Sequence, residues 1–182
     1  MTAAVRVLGI DPGSRVAGYA VVEERSGKAC LVEAGTLRPD PSLPMAHRLA
    51  RLYRGVADLI DRHAPHEAAM EEIFTAKNAA SALVLGQARG AILAACGVLG
   101  LPVTGYEPSV VKKTLVGTGR ADKEQVAFMV RRILAATEGA YAMDATDAMA
   151  VAVCHLNHRR FARLTATAET TAKRGRGRAM TP

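Results

Sequence analysis

The chain has 182 residues, enough for one compact domain with a core and too few for two domains closing around a cleft. Hydrophobic residues make up 49% and charged residues 23%, which excludes a disordered chain. With 4% aromatics and no Trp, the core must be built from Ala, Val, Leu and Ile. The net charge is +7, and from Arg159 onward seven basic residues face one acid, Glu169, so nearly all of the excess lies at the C-terminal end. Such a tail either keeps the chain soluble or meets a polyanion, nucleic acid being the commonest.

Cys30, Cys96 and Cys154 are far apart and show no zinc-ligand spacing, so they read as buried small hydrophobes in a reduced compartment. The N-terminus has no basic stretch leading into an apolar core, and no apolar run suggests a membrane span. A soluble, cytoplasmic protein with no membrane partner is expected.

Val5 to Ile10 is an apolar run ending at Asp11-Pro12-Gly13-Ser14, a buried strand entering a turn. Val16 to Glu24 and Lys28 to Leu37 are rich in β-branched residues and split by Ser26-Gly27, which predicts two antiparallel strands. After three prolines, Met45, Leu49, Leu52, Val56 and Leu59 recur at helical spacing, and Pro65 ends that helix. Ala68 to Phe74 reads as a central strand, Asn78 to about Leu99 as a long Ala-rich helix, and Pro102 to Tyr106 as a short strand. Helices follow over Ser109 to Val116 and Asp122 to Ala136, split by Gly117-Thr118-Gly119, and a last one from Asp144 to about Phe161. The order implies an α/β fold with a mixed five-stranded sheet flanked by helices on both faces. A domain over 1–160 and a basic, structureless tail over 161–182 complete the expected organisation.

Four acids stand out. Asp11 ends the first strand, Glu71 lies in the apolar Ala68-Ala69-Met70-Glu71, and Asp144 and Asp147 share one face at the start of the final helix. Singly, each has an ordinary reading: Asp11 as a turn former, Asp144 as a helix cap, Asp147 as a complement to the helix dipole. Glu71 is harder to dismiss, because a charge within a strand needs a partner. Glu72 should face away by strand alternation. If the first and fourth strands are neighbours, Asp11 and Glu71 come side by side, and the final helix adds its pair from across the sheet. Clustered carboxylates are tolerated only when protonated or neutralised by cations. Hard oxygen donors without Cys or His suit two Mg²⁺ ions, or Mn²⁺, about 4 Å apart, which is the clamp of phosphodiester hydrolysis.

The residues also resemble a known family. Leu8-Gly9-Ile10-Asp11-Pro12-Gly13-Ser14-Arg15 with Gly18-Tyr19 is similar to the opening of the RuvC family of crossover junction endodeoxyribonucleases. So are Glu71-x-x-Phe74-x-x-Lys77-Asn78, Leu85-Gly86-Gln87-Ala88-Arg89-Gly90, Val111-Lys112, Val116-Gly117-x-Gly119, Asp122-Lys123 and Asp144-Ala145-x-Asp147-Ala148. The likeness runs in order over about residues 5 to 158. It implies an RNase H-like fold and a homodimer joined through the Ala-rich helix. It further implies paired symmetric nicks in four-way junction DNA during recombination and repair, and a branch-migration motor as partner. By motif match, Asp11, Glu71, Asp144 and Asp147 are the catalytic, metal-binding acids. Phe74, Lys77, Asn78, Arg89, Lys112 and Lys123 are the DNA-binding residues, with Phe74 stacking on a base and Lys112 and Lys123 near the scissile phosphate. Alone, the lysines read as solvated helix residues and Phe74 as core. His155 and His158, further along the last helix, are expected to be peripheral.

Three rivals are weaker. The Phe74-to-Arg89 and Lys112-to-Lys123 stretches argue against an RNase H-like nuclease acting on structured RNA. The length argues against a two-domain sugar kinase or actin-like ATPase whose Gly-containing loop cradles phosphate, and the complete acid set argues against a junction-binding protein without catalysis.

Overall fold

The computed structural model describes residues 4–72, 79–137 and 141–177. Its sheet has five strands: β1 (Val5–Asp11), β2 (Ala17–Arg25), β3 (Lys28–Leu37), β4 (Glu67–Glu71) and β5 (Val103–Tyr106). Their order is β3-β2-β1-β4-β5, with β1, β2 and β3 antiparallel and β4 and β5 parallel to β1. Ser26 and Gly27 join β2 to β3 with φ of 50° and 80°, the doubly left-handed turn whose twist suits a hairpin. The parallel strands are reached through α1 (Met45–His63) and α2 (Ala79–Val98).

Strand alternation sorts the core into two layers. Leu8, Ile10, Val21, Ala68 and Met70 point to one face, where they meet Leu52, Val56 and Leu59 of α1 and Ala88 and Ile92 of α2. Val7, Ala20, Val22 and Ala69 point to the other face, covered by α3 (Pro108–Val116), α4 (Lys123–Leu134) and α5 (Met143–Gly177). The mixed sheet with helices on both faces is thus as the sequence implies.

Helix α5 lies directly on β1 and β2 because both surfaces are nearly bare. A Cβ on Gly9 would overlap the Ala148 carbonyl and sit 2.8 Å from the Ala152 Cβ. One on Gly18 would overlap the Asp144 carbonyl. Facing these glycines, α5 presents Ala145, Ala148 and Ala152, all buried.

Several expectations are corrected. Helix α5 continues to Gly177 instead of ending near Phe161, so the basic segment is helical well past residue 161. Ala162, Leu164, Ala166, Ala168 and Ala172 favour helix, and no Gly or Pro intervenes before Gly175. Strand β4 stops at Glu71, short of Phe74. Cys30 is exposed on β3, whereas Cys96 and Cys154 are buried as expected. Finally, α2 spans 20 residues with a mean hydropathy of 1.4, long and apolar enough to cross a bilayer by length and composition. Its Ala88, Ile92, Ala95 and Cys96 are buried in the α1–α2 layer, so one side of it belongs to the core.

Close approach at Gly9 sets a stability contrast. Gly9→Ala should lower the unfolding free energy by about 1–3 kcal/mol, seen as a lower urea midpoint. Gly97→Ala on α2, where an added Cβ meets nothing within 4 Å, should raise it by about 0.5–1 kcal/mol.

Candidate active site

The β1–β4 register pairs Ile10 with Met70, so one further step sets Asp11 beside Glu71 at the C-terminal ends of the two strands. Both side chains share the face of Val7 and Ala69, the face covered by α5. On the far side of β1, Asp11 is paired with Gly18, and it is over Gly18 that α5 begins. The missing Cβ there lets Asp144 approach the sheet. Asp144 lies in the first turn of α5, and Asp147 follows one turn later.

With no cation beside them, these acids burden one another. The Asp11 carboxyl is pushed up to about 8, first by burial and then by the charges of Glu71, Asp147 and Asp144. Glu71 is also raised, by burial and by Asp147. That shift favours the neutral form of Asp11, which relieves its repulsion with Glu71. Asp147 is drawn instead to Lys123, whose Nζ donates to it at 3.0 Å. Among the described residues, no three of the acids stand together as a ready-made cation cage. They converge electrostatically, while Asp147 is drawn aside by the lysine.

The lysines are delivered by a helix pair. Helix α3 starts with Pro108 at its first position and stops at Gly117, whose φ of 87° suits a left-handed cap. Helix α4 opens with a capping box: the Asp122 side chain accepts from the Gln125 N–H at 2.8 Å, and the Gln125 side chain accepts from the Asp122 N–H at 3.2 Å. That box places Lys123 at the first turn. Glu71, Asp147, Lys112 and Lys123 together line one cleft of about 260 Å³, with Pro108, Val111, Val126 and Val151 as apolar walls.

The site residues read from sequence are thus distributed unevenly. Asp11, Glu71, Asp144, Asp147, Lys112 and Lys123 gather at one end of the sheet. Arg89 lies on α2, in the layer on the opposite face of the sheet from the cleft. Phe74, Lys77 and Asn78 lie outside the described residues.

Sequence reasoning missed a second cluster on the same face. His155 is buried, and its Nε2 is 2.6 Å from a Glu67 carboxylate oxygen while its Nδ1 is 2.9 Å from the Tyr106 hydroxyl. Arg159 pairs with the other Glu67 oxygen. Glu67 falls at a strand entry and His155 mid-helix, so only their spacing on a shared face could have signalled the contact.

Residues 7–155 match the family model described as crossover junction endodeoxyribonuclease RuvC. The chain belongs to the RuvC family. It is 58% identical over 158 residues to the crossover junction endodeoxyribonuclease RuvC of Solidesulfovibrio magneticus, covering 87% of this chain and 93% of that one. The corresponding protein of Oleidesulfovibrio alaskensis is 53% identical, covering 91% and 98%. Among solved structures, Thermus thermophilus RuvC in complex with a Holliday junction substrate superposes with a TM-score of 0.83 at 36% identity, covering 87% of this chain and 96% of that one. The yeast mitochondrial Holliday junction resolvase shares the fold alone, with a TM-score of 0.64 at 15% identity over 84% of this chain and 78% of that one.

The donor set fits a hard divalent cation. It consists of carboxylates without Cys or His, and burial makes their charge costly unless a cation compensates it. The sign of the resulting pH dependence follows from Asp11. Its folded-state value lies above the ordinary 3.8, so the protonated form favours the fold. In chelator, stability should fall as pH rises from about 4 toward 8, as the unfolded chain releases a proton that the folded chain retains. Mg²⁺ should remove that decline, and so should Asp11→Asn; urea titrations at several pH values measure both.

Proposed function

We propose that this chain resolves four-way DNA junctions by paired symmetric nicks, with Asp11, Glu71, Asp144 and Asp147 as the metal-binding acids. The observation that carries this reading is the shared cleft: two of the acids and two lysines face one space at the sheet end where Asp11 is held. Isolated structural carboxylates would pair with those lysines and leave no neighbour unneutralised. Mg²⁺, or Mn²⁺ in its place, would be held by the four acids, two ions per site, and would supply charge neutralisation and an activated water at the phosphate.

The chain's own groups account for the rest. Lys112 and Lys123 present two ammonium groups to a phosphate entering the cleft, replacing the local attraction that Lys123 now gives Asp147. Burial favours the neutral form of Asp11, and its proton must leave before both strand carboxylates can act as ligands. Val111, Val126 and Val151 narrow the cleft and strengthen every charge interaction within it.

A homodimer and a basic DNA-contacting tail belong to the same proposal. The outer row of α2 exposes Leu83 at 65%, and added Cβ atoms at Gly86 and Gly90 would meet nothing within 4 Å. A second copy could approach such a row closely. Two sites related by a dimer axis would account for paired nicks. A branch-migration motor as partner and action in the cytoplasm follow from the family reading. The role of Arg89, with that of Phe74, Lys77 and Asn78, in DNA contact rests on the motif match.

Asp11→Asn should abolish cleavage of a four-way DNA junction while leaving junction binding intact in a gel-shift assay. Loss of both would assign Asp11 a structural role, and faster cutting of structured RNA than of the junction would favour the RNA-processing alternative. Removing residues 161–182 should flatten the salt dependence of junction binding, because released counterions scale with the phosphates neutralised. An unchanged slope would separate the tail from DNA.

A further inference from the structure

We propose that His155 is a positioning residue that fixes how far α5 sits along the sheet, and so aligns Asp144 and Asp147 with Asp11 and Glu71. This rests on the metal-binding reading of those acids and extends it to groups outside the cleft.

The reason a clamp is needed lies in the packing. Where α5 crosses the sheet, Gly9, Gly18, Ala20 and Ala69 face Ala145, Ala148 and Ala152. Small groups allow close contact but interlock little, so van der Waals packing resists lifting of the helix better than sliding. A slide of one turn is about 5.4 Å, enough to carry two carboxylates out of reach of a shared ion.

The Glu67–His155–Tyr106 bridge opposes that slide. Glu67 and Glu71 stand four residues apart on one face of β4, a span of about 13 Å. His155 and Asp147 stand eight residues apart on α5, a span of about 12 Å. The helix therefore meets the strand at both ends of matched lengths: Asp147 near Glu71 at one end and His155 on Glu67 at the other. Tyr106 extends the tie to the next strand, since it is the register partner of Glu71 on β5. Holding Tyr106 to α5 therefore also holds the strand neighbour of a proposed ligand.

With Glu67 ionised, one hydrogen-bond polarity suits the whole bridge. The Tyr106 hydroxyl donates to Nδ1, and Nε2–H donates to Glu67, which is the arrangement of a neutral imidazole. Burial favours that neutral form, and Arg159 supplies the countercharge for Glu67. Two further ties, Arg160 to Glu24 at 3.0 Å and His158 to Thr114 at 3.3 Å, lie on exposed surface and constrain less.

The test measures Mn²⁺ affinity of the full chain by titration calorimetry without DNA. His155→Leu should bind Mn²⁺ about 10-fold more weakly, as for other residues that orient ligands from behind. Its cleavage should recover as Mn²⁺ is raised, and junction binding in Ca²⁺ should be unaffected. His155→Gln, which keeps a donor and an acceptor, should regain much of the affinity. A folded His155→Leu protein with wild-type Mn²⁺ affinity would overturn the proposal. Should that variant fail to fold, Tyr106→Phe takes its place: weaker Mn²⁺ binding supports the clamp and unchanged binding overturns it. Asp147→Asn separates the two readings. If it binds Mn²⁺ as tightly as wild type, the metal-site reading itself fails. If it loses Mn²⁺ while the His155 and Tyr106 variants do not, only the clamp fails.

Discussion

The site depends on a helix laid flat on two strands with nothing between them. Gly9 and Gly18 remove the side chains that would hold α5 off the sheet, and Ala145, Ala148 and Ala152 do the same from the helix side. Every distance between a strand acid and a helix acid inherits that contact, because two acids come from strands and two from the helix. A larger residue at either glycine would move the helix as a rigid rod, displacing Asp144 and Asp147 together.

Electrostatics then works against packing. The fold concentrates acids that would separate if free, and local devices offset the cost: a raised Asp11 pKa that favours its protonated form, and an ammonium on Asp147. Both devices are removable. A proton leaves and a lysine swings, whereas a buried arginine fork would be harder to displace. The site is thereby stable without being committed to its own internal pairing, a requirement for a centre that must exchange partners when cations and phosphate arrive.

Much of this was legible in the residues. Short-range signals located every strand and helix, because the hydrophobic period, the prolines and the Gly-containing turns act within a few residues. The acids were legible because Glu71 in an apolar strand violates a rule that soluble folds rarely break. What was hidden depends on long separations. The Glu67–His155 contact spans 88 residues, and His155 alone looks like any helical histidine. The end of α5 was misjudged because charge and polarity were weighed above helix propensity, which Ala-rich spacing sustains to Gly177. Helix α2 reads as a long Ala-rich helix, but that reading passes over its apolar length: by length and composition it could cross a bilayer, yet one side of it is core.

The parallel pairing of β1 with β4 has a consequence for synthesis. Asp11 emerges from the ribosome early, Glu71 some sixty residues later, and Asp147 only near the end. Non-local contacts of this kind form slowly and late in folding. A nascent or truncated chain lacking α5 holds two of the four acids and none of the helix that aligns the rest. On the proposed reading of the four acids, such a fragment lacks half of its metal site, so nuclease competence would arrive only once α5 has been made and docked.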